Sequence, residues 1–293
     1  FQIAVSYSGM EVFRMETLGY YNGKIGEIAD IMVPMDDRAC YFGDGIYDAT
    51  NTRNHVPFLL EDHVDRFYRS AARVGMECEL KKPELMELLR DCARRVDSPD
   101  TQVYWQLSRG TAPRNHPFPK DAKSNLWITV RPKAFAPLRT RYALITQEDT
   151  RFLHCDIKTI NLLPAVIYSQ RAAEAGAKEC VLHRNGRVTE CAHSNVHILK
   201  NGALITAPLD NLILAGITRK LLLQKARELG IPVEERPYTL DELRNADEIL
   251  FTAASALCCV ANRLDGEPVG GGASELVDQL QNAMEAELIR QTD

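Results

Sequence analysis

Apolar residues recur at helical spacing in two segments near the start of the chain. In residues 62–74 they share one face, which predicts a helix that ends at Gly75. In residues 83–96 the same spacing predicts a second helix with Pro83 in its first turn. Helices are also predicted from Pro164 to Gly176, from Ile217 to Leu229, after a capping box at 239–242 and from about Ser274 onward.

β-rich runs separate the predicted helices. Two Asn-Gly pairs, at 185–186 and 201–202, each lie between such runs and predict tight hairpins. Another Asn-Gly pair at 22–23 predicts an opening hairpin, followed by a strand through residues 31–33. Further strands are predicted at 103–107, 126–130, 142–146 and 248–252.

Prolines interrupt both patterns near the middle of the chain. Pro132 and Pro137 exclude regular structure there, and we predict a linker at residues 133–138. It would join a small N-terminal α/β domain, residues 1–132, to a larger β-rich domain, residues 139–293. Helices and strands are mixed in the first part and hairpins dominate the second, so the predicted fold class is α+β.

Composition favours a globular, cytoplasmic protein. Of the 293 residues, 45% are hydrophobic and 26% are charged, which is typical of a chain that folds around a core. The net charge is −5 with both signs interspersed, which argues against nucleic-acid or membrane partners. No apolar run approaches the ~18 residues of a membrane span, and residues 1–8 lack signal-peptide features. Eight cysteines without a Cys-x-x-Cys pair predict reduced core thiols.

Lys158 and Glu190 are the first candidates for chemistry. An amine among apolar residues is costly to keep charged, and in its neutral form it can attack an aldehyde and form a Schiff base. Pyridoxal phosphate requires such a lysine, together with an acidic residue that keeps its ring nitrogen protonated. The pair alone is weak support, because most lysines are solvated surface residues.

A phosphate-binding site is a second possibility. Gly216, Ile217 and Thr218 precede a strong helical pattern, and the free N–H groups of a helix start bind anions well. The simpler interpretation is that Thr218 only caps the helix. Ser255, in a loop of small residues after a predicted strand, is a further candidate donor.

Basic residues form two more candidate groups. Arg114 and His116 lie two residues apart in a proline-rich loop, where they could bind a carboxylate or remain solvated. His193 and His197 would share one face of a strand, but no third ligand accompanies them. We therefore expect no metal site.

Several ordered motifs together resemble the fold-type IV pyridoxal-phosphate enzymes, the family of branched-chain and D-amino-acid aminotransferases. The resemblance extends from about Tyr20 to the end of the sequence. It implies a two-domain architecture, with a small N-terminal α/β domain and a larger β-barrel-like C-terminal domain. The matching motifs are at 41–48, 63–66, 109–116, 156–158, 182–185, 189–190, 194–196 and 216–219.

The resemblance implies roles for the residues that bind the cofactor, pyridoxal 5'-phosphate. Lys158 matches the lysine that forms the internal aldimine and moves the proton between Cα and C4′ of the cofactor. Glu190 matches the partner of the ring nitrogen, and Tyr47 matches an active-site tyrosine near the lysine. The remaining cofactor-binding matches are Arg66, Ile217, Thr218 and Ser255 at the phosphate and Leu214 against the ring.

The resemblance also implies how the substrate is held. Tyr104, Arg114 and His116 match the carboxylate-binding residues of the D-amino-acid enzymes, in which the Arg-His loop comes from the partner of a homodimer. The implied reaction is ping-pong transamination of D-alanine-like amino acids with a 2-oxo acid such as 2-oxoglutarate or pyruvate. A branched-chain L-aminotransferase and an aminodeoxychorismate lyase of the same fold are the alternatives.

Two positions depart from the family pattern. His193 lies in Cys191-Ala192-His193, where the D-amino-acid enzymes have small or hydroxyl residues, and Ala254 lacks a hydroxyl that relatives often carry. These departures affect the expected substrate range more than the reaction type. Residues 1–18 precede the region of resemblance.

Overall fold

The structure, a computed structural model, describes residues 15–293. Predictions for residues 1–14, including the expected lack of a signal peptide, lie outside the described residues. The first part of the chain forms a six-stranded sheet in the order β2-β1-β6-β5-β3-β4. Its strands are β1 (Leu18–Tyr21), β2 (Lys24–Gly26), β3 (Gly45–Arg53), β4 (Val56–Pro57), β5 (Thr101–Ser108) and β6 (Asn125–Pro132).

Two amphipathic helices pack against the first sheet. Phe67 from one helix and Leu89 from the other are fully buried, in one cluster with Trp105 and Ile128 of the sheet. Burial of such large apolar side chains stabilises the fold by about 1.5–3 kcal/mol each. Both predicted helices are thereby confirmed. The helices of this part are α1 (Arg38–Phe42), α2 (Leu60–Arg73) and α3 (Lys82–Arg94), and a short 3₁₀ helix spans Ile28–Asp30.

The rest of the chain forms a nine-stranded sheet in the order β12-β11-β10-β13-β14-β7-β8-β9, with β15 paired to β14. Its strands are β7 (Arg141–Glu148), β8 (Glu179–Arg184), β9 (Arg187–Cys191), β10 (Asn195–Lys200), β11 (Ala203–Thr206), β12 (Val233–Glu235), β13 (Glu248–Ala253), β14 (Ala256–Leu264) and β15 (Glu267–Pro268). The accompanying helices are α4 (Leu163–Glu174), α5 (Ile217–Glu228), α6 (Leu240–Arg244) and α7 (Ser274–Thr292).

Local sequence signals account for several of these elements. Asn185 and Gly186 have φ of 50° and 81°, as a type I′ turn requires, and they connect β8 to β9 as predicted. The predicted capping box at Thr239 and Glu242 is also present, with reciprocal hydrogen bonds of 3.2 and 2.9 Å. These interactions involve neighbouring residues only, which is why the sequence predicts them well.

The predicted strand at residues 31–33 is wrong. The segment pairs with no strand among the described residues, and Met32 is 80% exposed. Ile31 instead lies against Gly19, where a Cβ would come within 2.8 Å of its side chain. The Ile31 side chain therefore packs on β1, and residues 31–33 form no strand pairing with it.

The two adjacent cysteines of the second sheet are buried free thiols, as predicted. Cys258 and Cys259 are buried on β14, and burial raises the pKa of these thiols to about 12 and about 11. No helix among residues 15–293 is long and apolar enough to cross a membrane. Residues 133–138 lie between the last strand of one sheet and the first strand of the other. The domain boundaries themselves stay a prediction.

Candidate active site

One cavity of about 430 Å³ is lined by residues of both sheets. Most of the predicted site residues lie on its wall, although they are scattered over more than 200 positions of the chain. Two of them, Arg114 and His116, do not. The predicted residues that line the cavity are Tyr47, Arg66, Tyr104, Lys158, Glu190, Leu214, Ile217, Thr218 and Ser255.

Lys158 faces an aromatic wall of the cavity. Its carbonyl accepts a 2.9 Å hydrogen bond from the N–H of Tyr47, so the lysine segment is attached to β3. Its Nζ lies 4.2 Å from the centre of the Tyr47 ring, and that ring stacks on Tyr104 at 5.3 Å. Among the described residues, no carboxylate lies within 4 Å of this amine. The amine is therefore open to a ligand in the cavity.

Glu190 is a buried carboxylate with three partners. Arg151 donates to one oxygen at 2.6 Å, while the Asn195 amide and the N–H of Leu214 donate to the other, each at 3.0 Å. Burial raises the pKa of Glu190, and the Arg151 charge opposes this shift. The three donors fix the carboxylate in one orientation at the cavity wall.

Arg151 is the most important residue that the sequence reasoning missed. It also binds Asp149 at 2.9 Å, and Asp149 accepts further bonds from Thr189 and Arg184 at 3.1 and 3.2 Å. Burial alone would lower the pKa of Arg151, but Glu190 and Asp149 raise it above the usual range. The only sequence signal was the Asp-x-Arg pattern at 149–151, which begins three positions after the end of the predicted strand at 142–146.

Arg66 also lies on the cavity wall and is fixed by a second buried carboxylate. Two of its nitrogens donate to Asp48 at 2.8 and 2.7 Å, and a third donates to the carbonyl of Ala215 at 3.1 Å. Asp48 also binds His63 at 2.8 Å. Burial alone would raise the pKa of Asp48, but Arg66 and His63 lower it below its usual range. The sequence motifs indicate Arg66 but give no sign of the role of Asp48.

The start of α5 contributes to the cavity as an uncapped helix end. Gly216 occupies the cap position without a side-chain hydrogen bond, and a Cβ there would lie 2.0 Å from the Asn195 side chain. Thr218 does not cap the helix, because its hydroxyl donates to the carbonyl of Ala253 at 3.0 Å. The simpler interpretation of Thr218 is therefore wrong. The free N–H groups of this helix start suit an anion.

The loop with Arg114 and His116 packs against the first part of the chain and does not line the cavity. Both side chains are exposed and contact Phe42, with Arg114 5.2 Å and the His116 ring 5.1 Å from its ring centre. Arg38, only 3% exposed, donates to the carbonyl of His116 at 3.1 Å and to Asp44 at 2.8 Å. This buried arginine therefore holds the backbone of the loop in place.

The two candidate metal-binding histidines do not share a strand face. His193 lies in the turn before β10 and pairs with the buried Glu179. His197 is fully buried between Thr206 and Thr252, at 2.9 and 3.0 Å, and burial lowers its pKa to about 3. Residues 15–293 contain no group of three or more His, Cys, Asp or Glu that could hold a metal ion.

The cavity thus combines an accessible amine, a buried carboxylate, an arginine and a helix start. This set fits a phosphorylated aldehyde, because the amine can bind its carbonyl carbon while the arginine and the helix bind its phosphate. The carboxylate could accept a hydrogen bond from a protonated ring nitrogen. Such a set is typical of enzymes that work through a bound organic cofactor.

Comparisons with known proteins agree with this class. Residues 45–262 match the amino-transferase class IV family, so the chain belongs to the class IV aminotransferases. The D-alanine aminotransferase of Bacillus licheniformis is 36% identical over 275 residues, which cover 93% of this chain and 97% of the relative.

Solved structures match the fold. The branched-chain amino acid aminotransferase of Escherichia coli has a TM-score of 0.86 at 22% identity, with 94% of this chain and 96% of that chain covered. The branched-chain aminotransferase of the archaeon Thermoproteus uzoniensis, solved with norvaline, has a TM-score of 0.85 at 21% identity, with 94% and 96% covered. The predicted two-domain fold-type IV architecture is confirmed.

We predict that Arg151→Met destabilises the protein strongly, because it leaves Glu190 and Asp149 buried without their main partner. Breaking a buried ion pair costs about 3–5 kcal/mol. Arg187→Met is the matched control, since Arg187 pairs with Asp210 at a partly exposed position and should cost about 1 kcal/mol or less. Chemical denaturation of both variants measures the difference. Equal, small losses would contradict the prediction.

Proposed function

We propose that the protein is a pyridoxal-phosphate-dependent aminotransferase that acts on D-amino acids such as D-alanine and on 2-oxo acids such as 2-oxoglutarate or pyruvate. The observation that carries the proposal is the presence of Lys158 and the buried Glu190 in one cavity. The similarity to D-alanine aminotransferases over most of the chain supports the substrate class.

The cavity wall suggests how the cofactor would be held. Arg66, the start of α5 at Ile217 and Thr218, and Ser255 would bind its phosphate. Leu214 would pack against its ring. When bound, the cofactor supplies an electron sink for the electrons of a broken Cα bond.

Glu190 would stabilise a proton on the cofactor, and Lys158 would transfer one. Glu190 would accept a hydrogen bond from the ring nitrogen and keep a proton on that atom, and Arg151 would help by favouring the ionised form of Glu190. Lys158 would take the Cα proton of the substrate and return it at C4′ of the cofactor. Tyr47 would orient the lysine, since its ring lies 4.2 Å from Nζ. Positioned acid–base groups of this kind contribute about 10²–10⁴-fold to a rate.

We predict that Lys158→Ala removes both the visible absorbance of bound cofactor and turnover, with a rate loss of at least about a thousandfold. The control is Lys220→Ala, because Lys220 pairs with Asp62 at 2.7 Å on the surface and should retain both properties. Absorbance spectra and single-turnover assays of the two variants test this. A Lys158→Ala protein that kept absorbance and turnover would rule out the assignment.

We predict that the purified protein with 2-oxoglutarate converts D-alanine at least about a hundredfold more efficiently than L-leucine, a difference of about 2.7 kcal/mol in transition-state binding. The absorbance change of the cofactor with each amino acid measures this preference. The reverse preference would identify a branched-chain L-aminotransferase. Release of pyruvate from aminodeoxychorismate without an oxo acid would identify a lyase.

We also propose that the enzyme is a homodimer. Arg114 and His116 lie outside the cavity of their own chain, so a partner's copy of this loop would complete the carboxylate site beside Tyr104. Leu163, Val166 and Ile167 are neighbours on α4 and are 71%, 61% and 44% exposed, and a group of adjacent exposed apolar residues is a candidate interface. The remaining parts of the proposal are the division into domains 1–132 and 139–293 and a cytoplasmic location.

Complementation tests the dimer. We predict that a mixture of inactive Lys158→Ala and Arg114→Ala chains regains up to about a quarter of wild-type activity, because one site of each heterodimer would contain both wild-type residues. Gel filtration with differently tagged chains measures subunit exchange as the control. If exchange is complete and no activity returns, Arg114 does not act across an interface.

A further inference from the structure

The residues of β5 alternate between the apolar core and the cavity side of the first sheet. Val103, Trp105 and Leu107 are buried in the cluster that packs on the helices. Successive side chains of a strand point to opposite faces, so Tyr104 and Gln106 face the other way. Tyr104 lines the cavity. Gln106 thus shares the face of Tyr104, next to which the proposed function places the substrate carboxylate.

The ring of Tyr104 is fixed on both sides by aromatic neighbours. Tyr47 of β3 stacks on it with ring centres 5.3 Å apart, and the ring of Trp127 on β6 lies 6.0 Å away. Because β5 lies between β3 and β6, the Tyr104 ring cannot move sideways without displacing one of these neighbours. The position of the hydroxyl oxygen is therefore set, and the direction of its proton remains free.

The Tyr104 hydroxyl has one side-chain partner among the described residues, the amide of Gln106. It donates to Oε1 of Gln106 at 2.7 Å, and Gln106 is only 4% exposed. Gln106 lies opposite Tyr47 on β3 and opposite Trp127 on β6, so pairing on both sides fixes its backbone. An amide ends in an oxygen acceptor and an N–H₂ donor of similar size. Rotating it by half a turn therefore offers the Tyr104 oxygen a donor instead.

A substrate carboxylate needs hydrogen-bond donors, because its oxygens only accept. In the structure the single proton of the Tyr104 hydroxyl goes to Gln106 and not to the cavity. With the amide rotated, Gln106 would donate to the Tyr104 oxygen, and the phenolic proton would become free for a carboxylate. Hydrogen bonds arranged head to tail in this way polarise and strengthen one another.

We propose that Gln106 is a positioning residue for the substrate carboxylate. It controls the direction in which the Tyr104 hydroxyl donates: towards Gln106 when no carboxylate is bound, and towards the carboxylate when one is. The proposal rests on the proposed function, because that function places the substrate carboxylate beside Tyr104. Gln106 itself does not line the cavity and acts only through Tyr104.

A purely structural hydrogen bond is the competing explanation. In that case Gln106 would only hold the Tyr104 hydroxyl, and any acceptor of the same shape would serve as well. The two explanations predict opposite results for Gln106→Glu and Gln106→Met. An ionised carboxylate has the shape of the amide but can only accept, whereas a thioether of similar length is a weak acceptor that leaves the phenolic proton free.

The experiment measures the affinity of the cofactor-loaded enzyme for propionate, which is the carbon skeleton of alanine without its amino group. Titration calorimetry at about pH 8.5 keeps a glutamate side chain, with an ordinary pKa of about 4.3, ionised. We expect Gln106→Glu to weaken binding at least about tenfold, the effect of one lost hydrogen bond to a charged group, and Gln106→Met no more than about threefold. The KM for D-alanine should rise in the same order and by more than kcat falls. Equal losses, or the opposite order, would overturn the proposal.

Repulsion between the introduced charge and the substrate carboxylate is a separate effect that needs a control. Gln102→Glu places the same charge on the same face of β5, two residues from Tyr104 on its other side and about 7 Å away. Both substitutions are repeated in a Tyr104→Phe background. If Gln106 acts through the hydroxyl, the extra loss caused by Gln106→Glu relative to Gln102→Glu disappears in that background. An extra loss that persists without the hydroxyl would mean that charge alone is responsible and would refute the role of Gln106.

The binding measurement also separates this inference from the proposed function. If the enzyme converts L-leucine in preference to D-alanine, the proposed substrate class is wrong, but the affinities of the wild type and the two Gln106 variants for propionate still decide the role of Gln106. If Tyr104→Phe alone leaves the affinity for propionate unchanged, the hydroxyl does not bind the carboxylate. The inference then fails, whether or not D-alanine is transaminated.

Discussion

The buried ion pair between Glu190 and Arg151 is the interaction on which the cavity depends. A carboxylate removed from water is stable only when charges and donors replace its lost hydration. Here the donors come from the loop after β7, from Asn195 on β10 and from the segment before α5. Glu190 therefore connects β10 with two loop segments of the second part of the chain and fixes them relative to one another. Asn195 in turn excludes any side chain at Gly216, which sets where α5 begins.

The same requirement applies to Arg66, a second charged residue of the cavity wall. Asp48 on β3 is fully buried and compensated by Arg66 and His63 of α2, so the sheet and the helix are held together by charge as well as by apolar packing. Arg66 also reaches the carbonyl of Ala215 from the second part of the chain. An arginine that is already fixed needs little reorganisation to bind a ligand, which is the general advantage of a preorganised site.

The charged groups of the cavity differ in whether an ion pair holds them. Arg66 and Glu190 are held by buried partners, which would orient them towards a cofactor. Lys158 has no carboxylate within 4 Å among the described residues, which leaves its amine open to a ligand. Arg114 and His116, held by Arg38 outside the cavity of their own chain, extend this reasoning to a second subunit.

The sequence by itself determined the local structure and the identity of the proposed reacting groups. Helical spacing, the Asn-Gly turns and the Thr239 capping box depend on residues a few positions apart, and Lys158, Glu190 and Arg66 follow from motif resemblance. Only the tertiary structure decided the partners: Arg151 for Glu190, Asp48 for Arg66 and Glu179 for His193. Partner choice depends on which distant segments the fold brings within a few ångströms, and no spacing along the chain encodes that distance.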